Sequence, residues 1–346
     1  MNINAKQFKA GALNVLNGVS IAIIVALMPS ALLNEVLDYG QQMWPVLGIL
    51  KSLVTFAMGL LPVIAGLCVA MYFKFKPMET ATLALTAAMG AGNWTLVPTG
   101  GFIVKGSGDV INVMVTIAVA VILIKLLAPR LGNYSVLLLP TLTIAIGGGI
   151  GLLTLGPVRL ITKAIGDIAS WATALQPEMM GIAMGILFAV LILSPISSVG
   201  VATAISLGGV ASGSANLGIT AAAIALAVYG SQVNAFGTCI AHFIGMPKIQ
   251  MANVMQKPKL FIPIAINACI VGGIGALLRV QGTPLSAGFG SAGLVGPINA
   301  LKTGSNVFTL LLIYLVVPLI LAFISKWFFM HKTQFMAAKD FYLNYD

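Results

Sequence analysis

Charged residues in this chain act as punctuation between long apolar stretches. Runs without Asp, Glu, Lys or Arg occupy 10–34, 52–73, 80–104, 110–124, 131–158, 179–247, 260–278, 280–301 and 303–325. A helix that crosses a bilayer needs roughly 20 mostly apolar residues. The pattern therefore predicts an all-α polytopic membrane protein of about eight to ten transmembrane helices. The run 179–247 must hold more than one crossing, yet Ser194-Pro195-Ile196-Ser197-Ser198 and Gly208-Gly209-Val210-Ala211-Ser212-Gly213-Ser214 interrupt it. Such segments suit broken or re-entrant hairpins better than lipid-facing helix centres, because freed backbone groups must be satisfied by protein or a water cavity.

Composition agrees. The 346 residues are 59% hydrophobic and 8% charged, whereas soluble domains are about 25% charged, so an ordinary globular enzyme is excluded. The 38 glycines and 16 prolines exceed what plain spanning helices need. They concentrate in 90–108, 147–157, 195–218 and 282–297. Net charge is +10, but the basic residues cluster as cytoplasmic loops do, so nucleic acid is not an expected partner. The clusters are Lys6 and Lys9; Lys74 and Lys76; Lys125 and Arg130; Lys248, Lys257 and Lys259; then Lys326, His331, Lys332 and Lys339. They place both termini in the cytoplasm, with Glu35 and Asp38 outside. The first apolar run is too long for the core of a cleaved signal and is read as the first span.

The chain reads as a single integral membrane domain, 1–346. Within it, 157–176 sets Arg159, Lys163 and Asp167 among Leu160, Ile161, Ile165, Ile168 and Trp171, predicting an amphipathic helix at the interface. A short cytoplasmic tail, 326–346, closes the chain. Lys76-Pro77 and Lys257-Pro258 each precede an apolar segment and then a glycine-rich polar one, so an internal repeat is arguable. Cys68, Cys239 and Cys269 lie in apolar stretches without CxxC spacing, suggesting buried thiols with neither disulfide nor zinc. No Walker A, GxSxG, HExxH or DxDxDG sequence occurs, so catalytic residues, metal ligands and cofactors are not expected within this chain.

Four places carry candidate chemistry. Asp109 and Asn112, three apart at a helix start, either offer a carboxylate and an amide to a solute or cap the helix. Glu178 after Pro177 either complements the positive helix end or contacts a ligand. His242 is an imidazole in an apolar run, able to hydrogen-bond a substrate or act as a general base, or else to serve a structural role. The segment 281–297 is glycine-rich, uncharged and flanked by apolar runs. It predicts a re-entrant loop presenting Thr283, Ser286 and backbone groups such as those of Gly288 to an uncharged polyhydroxyl ligand.

Several blocks together resemble the membrane-embedded enzyme IIC family of the phosphotransferase system. They are Gln176-Pro177-Glu178-Met179-Met180-Gly181-Ile182, Ser194-Pro195-Ile196-Ser197-Ser198, Gly213-Ser214-Ala215-Asn216-Leu217-Gly218-Ile219, Gly282-Thr283-Pro284-Leu285-Ser286-Ala287-Gly288-Phe289-Gly290 and Gly293-Leu294-Val295-Gly296-Pro297-Ile298. The nearer likeness is to its subgroup named for the perfringolysin O regulator. The resemblance adds Ser194, Ser197 and Asn216 to the candidate substrate contacts. It implies a usually homodimeric sugar permease subunit of the bacterial cytoplasmic membrane, with about ten segments and re-entrant hairpins around a central sugar site. It also implies phosphocarrier partners, IIB and IIA, the former donating from a phosphocysteine. Because no cysteine here lies in a soluble region, phosphorylation would require a separate IIB chain. The expected function is thus translocation of a neutral sugar or polyol, with solute sensing without net transport, or ion-coupled carriage, as alternatives.

Overall fold

The computed structural model describes residues 5–284 and 286–343; Leu285 and the side chains of Ala5 and Lys6 lie outside what is described. Helices dominate, in the order α1 (Ala5–Gly40), α2 (Val46–Gly59), α3 (Leu61–Tyr72), α4 (Pro77–Met89), α5 (Val110–Leu131), α6 (Ser135–Leu142), α7 (Gly149–Ala172), α8 (Pro177–Ile192), α9 (Ser198–Ala204), α10 (Gly209–Tyr229), α11 (Phe236–Ile240), α12 (Met251–Gln256), α13 (Phe261–Leu277), α14 (Val295–Lys302), α15 (Val307–Leu311) and α16 (Val317–Lys326). The described strands are β1 (Trp94–Leu96) and β2 (Phe102–Val104), an antiparallel pair with Thr95 opposite Ile103. This is an all-α polytopic architecture.

Among the described residues five helical stretches are long and apolar enough to cross a membrane, at Gln7–Gly40, Val110–Ala172, Gly209–Tyr229, Pro258–Leu277 and Val307–Lys332. The pair α2 and α3, bent by 49°, makes a sixth if counted as one span. Pro177–Ile192 and Phe236–Gly245 are apolar but shorter. The apolar runs outnumber the long helices because Gly and Pro cut several runs into pieces below a full crossing. The stretch Val110–Ala172 is broken after α5 at Gly132 (φ +49°, ψ −124°), and residues 157–172 of the segment expected at the interface form the C-terminal part of α7. The last helical path continues past Lys326 through a π-helical stretch, Trp327–Lys332.

The chain folds as two compact units, 1–30 with 46–161, and 31–45 with 162–346. In the first, α3, α4 and α5 bury Leu61, Val69, Leu83, Ile117 and Ile124. Asn112, fully buried, donates from Nδ2 to the carbonyls of Gly90 (2.5 Å) and Gly151 (2.7 Å) and accepts from Thr154 (2.8 Å). It thereby joins the end of α4 and the start of α7 to the start of α5.

The core of the second unit is α8, α10 and α13, which meet backbone to backbone: a Cβ on Gly218 would strike Gly185, and one on Gly272 would strike Gly181. Small residues of this kind allow close helix approach where lipid supplies no hydrophobic drive. The least apolar of the five long stretches, α10, is 89% buried along its spanning part, while the most apolar, Val307–Lys332, is 28% buried. In lipid the polar face turns inward, and that inversion is what positions the polar residues described next.

Candidate functional site

The glycine-rich segment after α13 is tied to α9 and α10 by side chains on those helices. Ser212 Oγ donates to the Thr283 carbonyl (2.9 Å) and Ser198 Oγ to the Gly288 carbonyl (2.8 Å). One turn on from Ser212, Asn216 uses both ends of its amide: Nδ2 donates to Ser286 Oγ (3.3 Å) and Oδ1 accepts the Gly290 N–H (3.1 Å). Gly282 N–H donates to the Gly209 carbonyl at 3.0 Å, an isolated antiparallel bridge. Within the segment, Thr283 and Ser286 exchange hydrogen bonds, and Thr283 Oγ1 also donates to Asn299 Oδ1 (3.2 Å).

Three glycines with left-handed backbone are required by this packing, the first being Gly288, at φ +103° against the Val199 backbone. Gly290 has φ +64° and faces Ile219, and Gly293 has φ +54° with the Ala31 backbone where a Cβ would sit. A side chain there would meet both left-handed backbone strain and a solid neighbour.

His242 lies on a π-helical stretch, Ala241–Gly245, and is fully buried. That stretch packs against α10 and the turn Ala292–Leu294, and Ser291 Oγ donates to the Phe243 carbonyl at 2.8 Å. The Thr238 carbonyl lies 2.8 Å from His242 Nδ1, which fixes the proton there in the neutral ring. Nε2 is then a buried acceptor, without a hydrogen-bond partner among the described residues. Two further buried orphans, Thr143 Oγ1 in the first unit and Tyr314 Oη in the second, also sit on π-helical stretches, Thr143–Gly148 and Leu312–Val316. Such stretches are frequent at functional sites. Ser214 Oγ on α10 is buried and likewise without a hydrogen-bond partner among the described residues.

The other predicted residues are distributed as follows. Asp109 is the N-cap of α5, accepting the Asn112 N–H at 3.0 Å. It and Asn112 belong to the first unit, the remaining candidates to the second. Glu178 is exposed in the first turn of α8. Ser194 donates to the Leu191 carbonyl (2.8 Å) and accepts the Ile196 N–H (3.2 Å), and Ser197 caps α9 through the Gly200 N–H (3.0 Å). The second unit thus gathers Asn216, Thr283, Ser286 and Gly288 in one cluster.

Ser198, Ser212 and Ser291 anchor the same segment and were not among the candidate residues of the sequence. The spacing of Ser212 and Asn216, four apart on a helix, was the available signal. Lys248, buried on the turn Pro247–Gln250, donates to the Ile196 carbonyl at 2.8 Å and so holds the broken connection between α8 and α9. Among the described residues no group of His, Cys, Asp and Glu could hold a metal ion.

Comparison with known protein families gives a match over residues 13–343 to the one described as Phosphotransferase system, EIIC. No curated protein matches the chain.

Proposed function

This chain belongs to the phosphotransferase system EIIC family, a family of membrane-embedded sugar permease subunits with IIB and IIA partners, and on that premise we propose that it carries a neutral sugar or polyol across the bacterial cytoplasmic membrane, the solute bound beside His242 and the segment 282–297. The observation that carries the reading is the pairing of an uncharged, hydrogen-bonded glycine-rich segment with a buried imidazole nitrogen that has no partner among the described residues. A buried acceptor left unsatisfied costs about 1–3 kcal/mol, which a sugar hydroxyl donating to Nε2 would recover. The absence of charge along 282–297 favours hydroxyls over ions as the cargo.

Where a phosphorylated IIB partner takes part, the hydroxyl held at Nε2 is the nucleophile. The new O–P bond forms as the partner's S–P bond breaks, and the hydroxyl proton passes to Nε2. Asp109, Asn112, Glu178, Ser194, Ser197, Asn216, Thr283, Ser286 and Gly288 stand as proposed substrate contacts, for which the conformation described here has the serines and amides engaged in internal hydrogen bonds. Their use by substrate would require exchange of those bonds during alternating access. The basic clusters support cytoplasmic termini, and the family resemblance supports a homodimer.

Reconstitution in liposomes tests this. Uptake or binding of at least one labelled sugar from a broad panel, enhanced and trapped as the phosphate when a IIB protein is added, is the expected result. Failure of every sugar under both conditions overturns it. Binding without uptake would favour a sensor, and uptake that follows a proton gradient and disappears in Asp109→Asn would favour an ion-coupled carrier.

A further inference from the structure

A cavity of about 340 Å³ opens in the second unit between the C-terminal turn of α7, the start of α8 and the connection from α9 to α10. Hydroxyl side chains of Ser170, Thr173 and Ser206 share its wall with apolar Met180, Leu207 and Val210, and none of the described residues lining it is charged. Ser206 holds φ +52°, a left-handed conformation rare for a residue other than glycine. Strain of this kind concentrates at ligand sites, where surrounding structure maintains it. Four positions from the wall's apolar Ile205, Gly209 is bridged to Gly282, so the connection that walls the cavity also holds the glycine-rich segment by its backbone.

We propose that this cavity is an entry subsite for the free, unphosphorylated monosaccharide, distinct from the position at His242. The proposal rests on the sugar-permease reading and deepens it. Size comes first: the volume lies near the floor of the roughly 300–1,000 Å³ range of ligand pockets, room for one sugar ring rather than an oligosaccharide. Chemistry comes second. Hydroxyls can exchange hydrogen bonds with sugar hydroxyls, and the apolar side chains can cover the C–H faces of the ring. A sugar phosphate would bring a charged group to a wall that offers no cation, so its phosphate would gain no charge-assisted hydrogen bond there. The subsite therefore favours substrate over product. Occupation near Ser206 would reach the segment 282–297 through the Gly209–Gly282 bridge, coupling arrival of sugar to the loop that frames the second position.

The test is site-directed labelling in proteoliposomes. Ser206→Cys is made in a background with Cys68, Cys239 and Cys269 replaced by alanine, and the rate of maleimide modification is measured with and without a sugar that the unmodified protein binds. A several-fold slowing by that monosaccharide, with none by its phosphate or by a disaccharide containing it, is expected. The slowing should persist when His242→Gln is added, since the two positions are separate. Equal rates with and without the bound sugar, equal slowing by the phosphate, or loss of slowing in the His242→Gln background would each overturn the proposal. Slowing that follows lipid composition and ignores sugar would overturn it too. Should Ser206→Cys fail to accumulate, Thr173→Cys on the opposite wall reads the same cavity. If the unmodified protein binds no sugar of the panel, the permease reading falls first, and that outcome is seen before any cysteine is introduced.

Discussion

Asn216 shows how one side chain holds the candidate site together. Its amide engages Ser286 and Gly290, 70 and 74 positions away, from a helix face that is otherwise buried. Truncation leaves the buried Gly290 N–H unpaired and removes one of the bonds of the Ser286 hydroxyl, which keeps those to Thr283, so Asn216→Ala should lower stability by about 1–3 kcal/mol in thermal unfolding in detergent, with weakened sugar binding alongside. Tyr314 predicts the opposite sign. Its hydroxyl is buried without a partner among the described residues, so Tyr314→Phe removes a desolvated group and should leave the melting temperature equal or higher. At His242 the expectation separates fold from function. His242→Gln keeps a polar side chain of similar size but loses the oriented ring acceptor, and should weaken sugar binding and lower IIB-dependent sugar phosphorylation by about 10²-fold or more, while the purified protein remains monodisperse.

At the level of elements, the α8–α10–α13 contact is decided by glycine. Gly218 meets the Gly185 backbone, so Gly218→Leu must separate α10 from α8; the protein should fail to accumulate in membranes, whereas Gly149→Leu, which meets open space, should accumulate normally. The C-terminal segment is a second element with a definite role. Its turn Ala338–Phe341 buries Phe341 against Tyr229, and the Phe341 carbonyl accepts from Asn234 and Gln250, each at 2.8 Å. Burial pushes the Asp340 carboxyl up, but the Lys257 ammonium at 2.5 Å, the Ala337 N–H and the charge of Lys259 outweigh it and hold the carboxyl below its usual range. A lowered folded-state value contributes stability that is fully present above the ordinary Asp value of about 3.9 and is lost as pH falls through the folded one. Protease cleavage of this segment should therefore be slow at neutral pH and accelerate only below about pH 4, and Asp340→Asn should remove that pH dependence.

For the whole molecule, apolar runs separated by charges sufficed to identify a polytopic membrane protein, because a bilayer accepts little else than long apolar helices. The glycine blocks and the resemblance they carry pointed to the family that the match over 13–343 identifies. A local signal also held where the physics is local: Asp109 caps the helix it precedes. What depended on contacts between distant segments was not legible. No spacing rule connects Asn216 to Gly290, Ser198 to Gly288 or Lys248 to Ile196. Nor could hydropathy alone show that the least apolar long helix would be the most buried, since the same sequence could line either a surface or a core.

The sequence by itself determined the solvent of this protein, the helical class and the glycine-rich places where a regular span must fail, since each follows from composition over a few turns. The tertiary structure alone decided which polar groups are engaged and which remain open, because a hydroxyl or ring nitrogen acquires its partner only when segments tens of residues apart are brought within hydrogen-bonding distance. That is why Thr283 and Ser286, conspicuous in the sequence, are found bonded to each other, whereas His242 Nε2, buried as well, has no hydrogen-bond partner among the described residues.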